Sequence, residues 1–201
     1  VEVLSGQPLD EFMQERIFGP LGMQETYFFL PENKHDRLAR VYGEFEKNKL
    51  QLNEPARGAY SYRYPAEGSK AYFSGGSGLV STAADYFKFA QMLLNGGEFG
   101  GKRILSPTTI RLMTRNHIGE LRMGPSNLKD FGLGFEIVTE EEAWKTPASV
   151  GTFGWSGYFK TVFWIDPRQE LVAVLLTQVY PSISTGLFQR FENAVYQAVV
   201  E

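Results

Sequence analysis

The 201-residue chain has no cysteine and only two histidines, His35 and His117. The first absence excludes disulfides, thiolate zinc sites and a cysteine nucleophile. The second argues against a histidine-rich metal centre or a histidine-based triad. There is no excess of positive charge. Twenty Lys and Arg stand against 23 Asp and Glu, a net charge of −3, so no basic field draws nucleic acid or an anionic membrane. No apolar run approaches the ~20 residues of a membrane-spanning helix. The Gly-x-Gly-x-x-Gly fingerprint and the Gly-x-Ser-x-Gly nucleophile turn are both missing. No His-x-x-x-His pair suggests a metal. The stretch Gly96–Lys102 follows the phosphate-loop pattern until Arg103 stands where Ser or Thr must hold magnesium. It also follows a helix pattern rather than a strand, so it reads as a turn. Residue 1 is Val, with no charged-then-apolar leader behind it, which leads us to expect a cut or processed start.

What remains is an ordinary globular composition, 43% apolar and 21% charged, at a length that predicts one or two domains of ~100–200 residues. Leu9, Phe12, Met13 and Ile17 share a helical face, predicting a helix over Pro8–Phe18 that ends at Gly19-Pro20. Leu21–Tyr72 has weak periodicity and reads as irregular excursions with one short strand pair. The alternation of Tyr60, Tyr62 and Tyr64 suggests a brief extended stretch. Thr82–Leu94 is a well-marked helix, with Asp85 three residues after Thr82 in a near capping box. Asn95-Gly96-Gly97 stops it. Pro107–Arg115 is a third helix, with Ser106 as its cap.

Beyond Phe131 the pattern changes to strands. Phe131–Val138 and Ser149–Trp155 are candidates. Phe159–Ile165 and Leu171–Gln178 form a hairpin around Asp166-Pro167-Arg168-Gln169. The unbroken apolar run Leu171–Leu176 suggests a strand covered on both faces. Ser184–Val200 closes the chain as an amphipathic helix. The expected class is therefore α+β: a helix- and loop-rich region, then three antiparallel strands and a C-terminal helix. We expect residues 1–130 to form the first region and 131–201 the second, together making one incomplete domain.

Two stretches could carry chemistry. Ser126-Asn127-Leu128-Lys129 has the Ser-x-x-Lys spacing that, at the start of a helix, stacks the amine over the hydroxyl. Here it lies between Gly124-Pro125 and a strand-like run, so it reads as a surface loop. Gly154-Trp155-Ser156-Gly157-Tyr158 ends one strand and begins the next. Gly157 permits close approach of a ligand or backbone, and a backbone N–H on such an edge can serve as an oxyanion donor. A purely structural strand end is the alternative. His117, just past a helix end, is placed to bond the last carbonyls, and His35 lies in a polar loop.

Together these segments resemble the C-terminal half of a serine β-lactamase-related protein, the group of class C β-lactamases, DD-peptidases and esterases of similar fold. The run Ser5-Gly6-Gln7-Pro8-Leu9, then Ile17-Phe18-Gly19-Pro20-Leu21-Gly22-Met23 and Thr26, is similar to one family signature. Gly75–Asp85 resembles another, with Ser77-Gly78 as a small departure. Leu93–Gly97, Leu105-Ser106-Pro107, Met113, Phe131–Phe135 and Ile165-Asp166-Pro167 continue the likeness in order.

The resemblance implies a β-lactamase/transpeptidase-like fold and an acyl-serine mechanism with no cofactor. Of the family's three catalytic parts, Ser-x-x-Lys and Tyr-x-Asn precede the run near Ser5, so their residues are expected upstream of this chain. The third part, Lys-Thr-Gly or His-x-Gly, aligns with Trp155-Ser156-Gly157 as substrate-binding residues, and Tyr158 then offers a backbone N–H as oxyanion donor. Lys160-Thr161 is a decoy, because Val162 follows where Gly is needed. Trp155 in place of a cation resembles the esterase-like branch, implying ester or amide substrates before lactams. A non-catalytic binding or regulatory module derived from the fold is the alternative. The family's setting implies a periplasmic or other extracytoplasmic location. With the N-terminal strands of the family sheet missing, we expect self-association or coverage of the exposed sheet edge by the missing N-terminal half.

Overall fold

The structure, a computed structural model, describes residues 1–53, 63–68, 70, 72–123 and 128–199. The chain opens with a short helix α1 (Glu2–Ser5) and a longer helical segment made of α2 (Leu9–Met13), a π turn at Gln14–Phe18 and α3 (Gly19–Leu21). Gly19-Pro20 does not end this segment, contrary to the sequence expectation. In the π turn the Gly19 N–H reaches the Gln14 carbonyl five residues back, and Pro20, which has no N–H to donate, follows it near the start of α3. The segment stops instead at Gly22, which adopts a left-handed conformation.

A 3-10 turn at Glu32–Arg37 leads to the hairpin β1 (Tyr42–Glu46) and β2 (Lys49–Leu52), the one strand pair expected in this region. Tyr60 and Tyr62 lie outside the described residues, and Tyr64 opens a helical turn, α4 (Tyr64–Glu67), rather than an extended stretch. Helix α5 (Ala83–Leu94) begins as the capping pattern predicts, with Thr82 Oγ1 accepting the Asp85 N–H at 3.2 Å. The glycine-rich stretch after it is the tight hairpin β3 (Glu98–Phe99) and β4 (Lys102–Arg103), joined by Gly100-Gly101. Helix α6 (Pro107–Met113) has Ser106 as its cap.

The C-terminal third builds the main sheet. Phe131–Val138 is not one strand. It forms two short strands, β5 (Asp130–Phe131) and β6 (Glu136–Ile137), because the chain doubles back at Gly132-Leu133-Gly134. They are followed by β7 (Phe153–Ser156), β8 (Val162–Asp166) and β9 (Leu171–Leu175). The sheet thus has five antiparallel strands in sequence order rather than three. The fold class is nonetheless the α+β class expected. β10 (Val179–Ser182) leaves this sheet and pairs in parallel with β1. Helix α7 (Leu187–Gln197) closes the chain.

Alternation along the strands sorts the sheet into two faces. Phe153, Phe163, Ile165, Val172 and Val174 face α5 and the opening helical segment, packing with Ala90, Leu93, Phe18 and Leu21. A fully buried Ile such as Ile165 stabilises the fold by about 1.5–3 kcal/mol relative to exposure. On the other face Trp164 meets α7, with Phe191 edge-on at 5.4 Å and Tyr196 stacked at 6.3 Å. Among the described residues, no helix is long and apolar enough to cross a membrane.

Candidate active site

The four residues singled out in sequence, Trp155, Ser156, Gly157 and Tyr158, run along the end of β7 and into the turn to β8. Trp155 pairs with Phe163, so its side chain leaves the sheet on the face that α5 covers. It is half-buried, 40% exposed, and meets the Phe131 ring edge-on at 5.2 Å. Ser156 pairs with Val162 and is exposed.

Two glycines bring backbones together here. A Cβ on Gly154 would overlap the Phe163 carbonyl, and one on Gly157 would overlap Thr161 Oγ1, so both positions hold the turn close to β8.

The turn itself is fixed from two sides. Gly157 N–H donates to the Thr161 carbonyl at 2.8 Å, and Lys160 N–H donates back to the Gly157 carbonyl at 3.1 Å. Lys160 sits at φ 64, a left-handed conformation that costs a non-glycine residue about 1–2 kcal/mol. Hydrogen bonds from the following segment hold it there. The single Thr177 hydroxyl proton is shared between the carbonyls of Phe159 (2.9 Å) and Lys160 (2.7 Å), and Val179 N–H donates to that of Phe159 at 3.1 Å. The Tyr158 ring lies against Tyr180, centroids 3.9 Å apart and planes inclined by 32°.

Among the described residues, three cations near the strand end are already engaged. Lys160 Nζ donates to the Ser184 carbonyl at 3.3 Å and lies over the Phe188 ring. Beside the neighbouring strands, Lys129 pairs with Glu136 at 2.6 Å and Arg122 with Asp130 at 2.9 Å. On the face shared with Trp155, Tyr86 meets the Phe163 ring edge-on at 5.0 Å, and burial pushes its hydroxyl up to about 12. Ser126 lies outside the described residues. Its partner in the Ser-x-x-Lys spacing, Lys129, bridges Met123 just before β5 and belongs to no helix. His117 Nε2 lies 2.7 Å from the Leu112 carbonyl and His35 Nε2 2.9 Å from the Leu30 carbonyl, so each ring ties off a helix or loop. Among the described residues, no cluster of three acidic or histidine side chains is suited to a metal.

The family model for Beta-lactamase matches residues 1–195. The chain belongs to the Beta-lactamase family, a serine hydrolase superfamily. A Mycobacterium tuberculosis protein is 31% identical over 92% of this chain and 47% of its own length. The lovastatin esterase of Penicillium rubens is 27% identical over 98% of the chain and 53% of its own length. Among solved structures, EstCE1, described as a hydrolase with promiscuous acyltransferase activity, superposes with a TM-score of 0.79 at 24% identity, over 97% of this chain and 52% of that one. The fold is therefore the β-lactamase/transpeptidase-like one. The chain spans about half the length of these relatives.

Sequence reasoning missed the residues that brace the strand end. Phe131 beneath Trp155, Thr177 under the turn and Tyr180 on Tyr158 all come from other strands or segments. Only the hairpin pattern, which runs β8 into β9 and so returns Thr177 to the start of β8, signalled any of them.

Proposed function

We propose that this chain supplies one wall of an acyl-serine site for uncharged esters or amides. Tyr158 N–H is one oxyanion donor, and Trp155, Ser156 and Gly157 contact the substrate. The nucleophilic serine, its lysine partner and the tyrosine are carried outside these 201 residues. The observation that carries this reading is the Trp155–Tyr158 strand end in a Beta-lactamase-family fold, braced on both sides. In such a site the serine oxygen attacks the substrate carbonyl, the oxygen takes the negative charge against the N–H donors, and the leaving alcohol or amine departs with a proton. Water then cleaves the acyl-serine. Trp155 provides no cation for a lactam carboxylate, and the nearby cations are paired, which favours neutral acyl compounds. The name of the Penicillium rubens relative, a lovastatin esterase, supports the same substrate class.

The full-length gene product and residues 1–201 expressed alone are compared on p-nitrophenyl butyrate and with a serine-reactive fluorophosphonate. The expected result is turnover by the first only, with the phosphonate on a serine outside these residues. An adduct on Ser126, or turnover by the isolated chain that Ser126→Ala abolishes, overturns the assignment. A full-length product that neither turns over ester nor takes the phosphonate points to the binding-module alternative.

The same reading has a second part. β9 pairs only with β8 among the described residues, and such an edge is prone to strand addition. We propose that residues 1–201 alone self-associate, read as a mass above one chain by light scattering at high concentration. A monomer throughout the concentration range argues against it.

A further inference from the structure

Tyr158 and Tyr180 stand out because their rings pack against each other, with planes inclined by 32°, yet stay incompletely covered, 48% and 38% exposed. Both lie at the strand end, and Phe159 braces them edge-on, with centroids 5.5 and 6.4 Å away. Neither ring belongs to the core behind the sheet. The segment that carries Tyr180 is nevertheless unusually well held. β10 pairs with β1, Asn53 Nδ2 donates to the Tyr180 carbonyl at 2.6 Å, and Glu44 binds the residues just beyond at Ser182 and Ser184. An exposed aromatic surface on a fixed backbone is a preorganised contact surface, since little rotamer or loop freedom is lost when something flat settles on it.

We infer that Tyr180 is a specificity-determining residue, which with Tyr158 forms an aromatic wall for a flat, apolar acyl group. The inference rests on the oxyanion role proposed for the Tyr158 N–H. If that N–H bonds the substrate oxygen, the Tyr158 ring lies within one side-chain length of the reacting carbonyl, and the Tyr180 ring, packed against it at 3.9 Å, adds its exposed edge to the same surface. An aryl-bearing acyl group packs against the exposed edges of the two rings, whereas an acetyl group offers far less surface to them. Among the described residues, Lys160, Arg122 and Lys129 near the strand end are engaged with other partners, which favours an uncharged acyl group.

The test uses the full-length gene product with p-nitrophenyl phenylacetate and p-nitrophenyl acetate. The readout is the ratio of kcat/KM for the two esters. Tyr180→Ala is expected to lower the ratio about tenfold, mainly through KM of the phenylacetate, and Tyr180→Phe to keep it, because the ring and not the hydroxyl makes the wall. Tyr180→Leu, which retains bulk in the fold, should fall between them. An unchanged ratio in the Ala and Leu variants overturns the inference while leaving the esterase reading intact, even if both rates drop together. Failure of the unsubstituted protein to hydrolyse either ester overturns both.

Discussion

The Glu44 carboxylate on β1 accepts the backbone N–H of Ser184, 140 residues further along the chain, at 2.8 Å. It also accepts the hydroxyls of Ser182 and Ser184 and the Asn48 N–H. One buried carboxylate thereby ties the β1–β2 hairpin to the strand that carries Tyr180. Those donors, the Ser184 hydroxyl foremost, hold Glu44 at about 2, below the ordinary 4.5. A depressed carboxylate contributes stability that is complete above its unfolded pKa and is lost as pH falls through the folded one. The contribution should therefore fade between roughly pH 5 and pH 2. Urea midpoints measured across that window should decline more steeply in the unsubstituted chain than in Glu44→Gln. Parallel slopes would show that the carboxylate is not the titrating anchor.

Trp155 is half-exposed, so its replacement should leave the fold standing while changing what the site accepts. Trp155→Lys gives up the edge-on contact with Phe131, about 1 kcal/mol, and places a cation at the strand end. In the full-length product, hydrolysis of a neutral ester should fall and affinity for a carboxylate-bearing lactam should rise, read as inhibition of ester turnover. Equal lactam affinity in both proteins would count against Trp155 lining the site.

Gly154 and Gly157 differ in what a methyl group would strike. At Gly154 the obstacles are the Phe163 carbonyl and Trp164 Cα, which are rigid backbone. Gly154→Ala is expected to cost about 2–3 kcal/mol or more, because β7 and β8 must separate. At Gly157 the obstacle is the Thr161 side chain, so Gly157→Ala should lower stability less and be felt chiefly in kcat/KM. Thermal melts that rank the two variants in the opposite order would refute this.

Asp166 ends β8 and is fully buried. Burial works to raise its pKa, but the N–H groups of Ser149 and Gln169 and the Tyr196 hydroxyl outweigh it, and the net shift is downward. Burial and the Asp166 carboxylate push the Tyr196 hydroxyl up, so it remains a donor across the physiological range. Tyr196→Phe removes a 2.8 Å bond to a charged acceptor, with an expected loss of about 1–3 kcal/mol. Denaturant unfolding checks it, and a loss below about 0.3 kcal/mol would mean that α7 is not held through this contact.

Local signals were the readable ones. Thr82 and Asp85 set the start of α5, and Asp166-Pro167 set the turn between β8 and β9, because capping and turn chemistry act within four residues. The apolar run from Phe131 hid its own bend, since Gly132 and Gly134 flank a leucine that reads equally well as strand. The β1–β2 turn had a weak signal in Asn48, which takes φ 63, a conformation Asn tolerates better than most residues. The strand end at Trp155–Tyr158 was legible through its glycine and its family likeness. Its bracing was not. Tyr180 and Glu44 owe their positions to pairing between distant segments, and no spacing within either segment encodes the other.

The parallel pairing of β1 with β10 also orders events in time. Closing a loop of some 140 residues is entropically slow, and contacts of this separation form after local hairpins. During synthesis the β1–β2 hairpin must wait for the 140 residues that follow Glu44 before that carboxylate gains its serine partners. Sequence separation therefore predicts that the aromatic surface at the strand end is assembled late in folding.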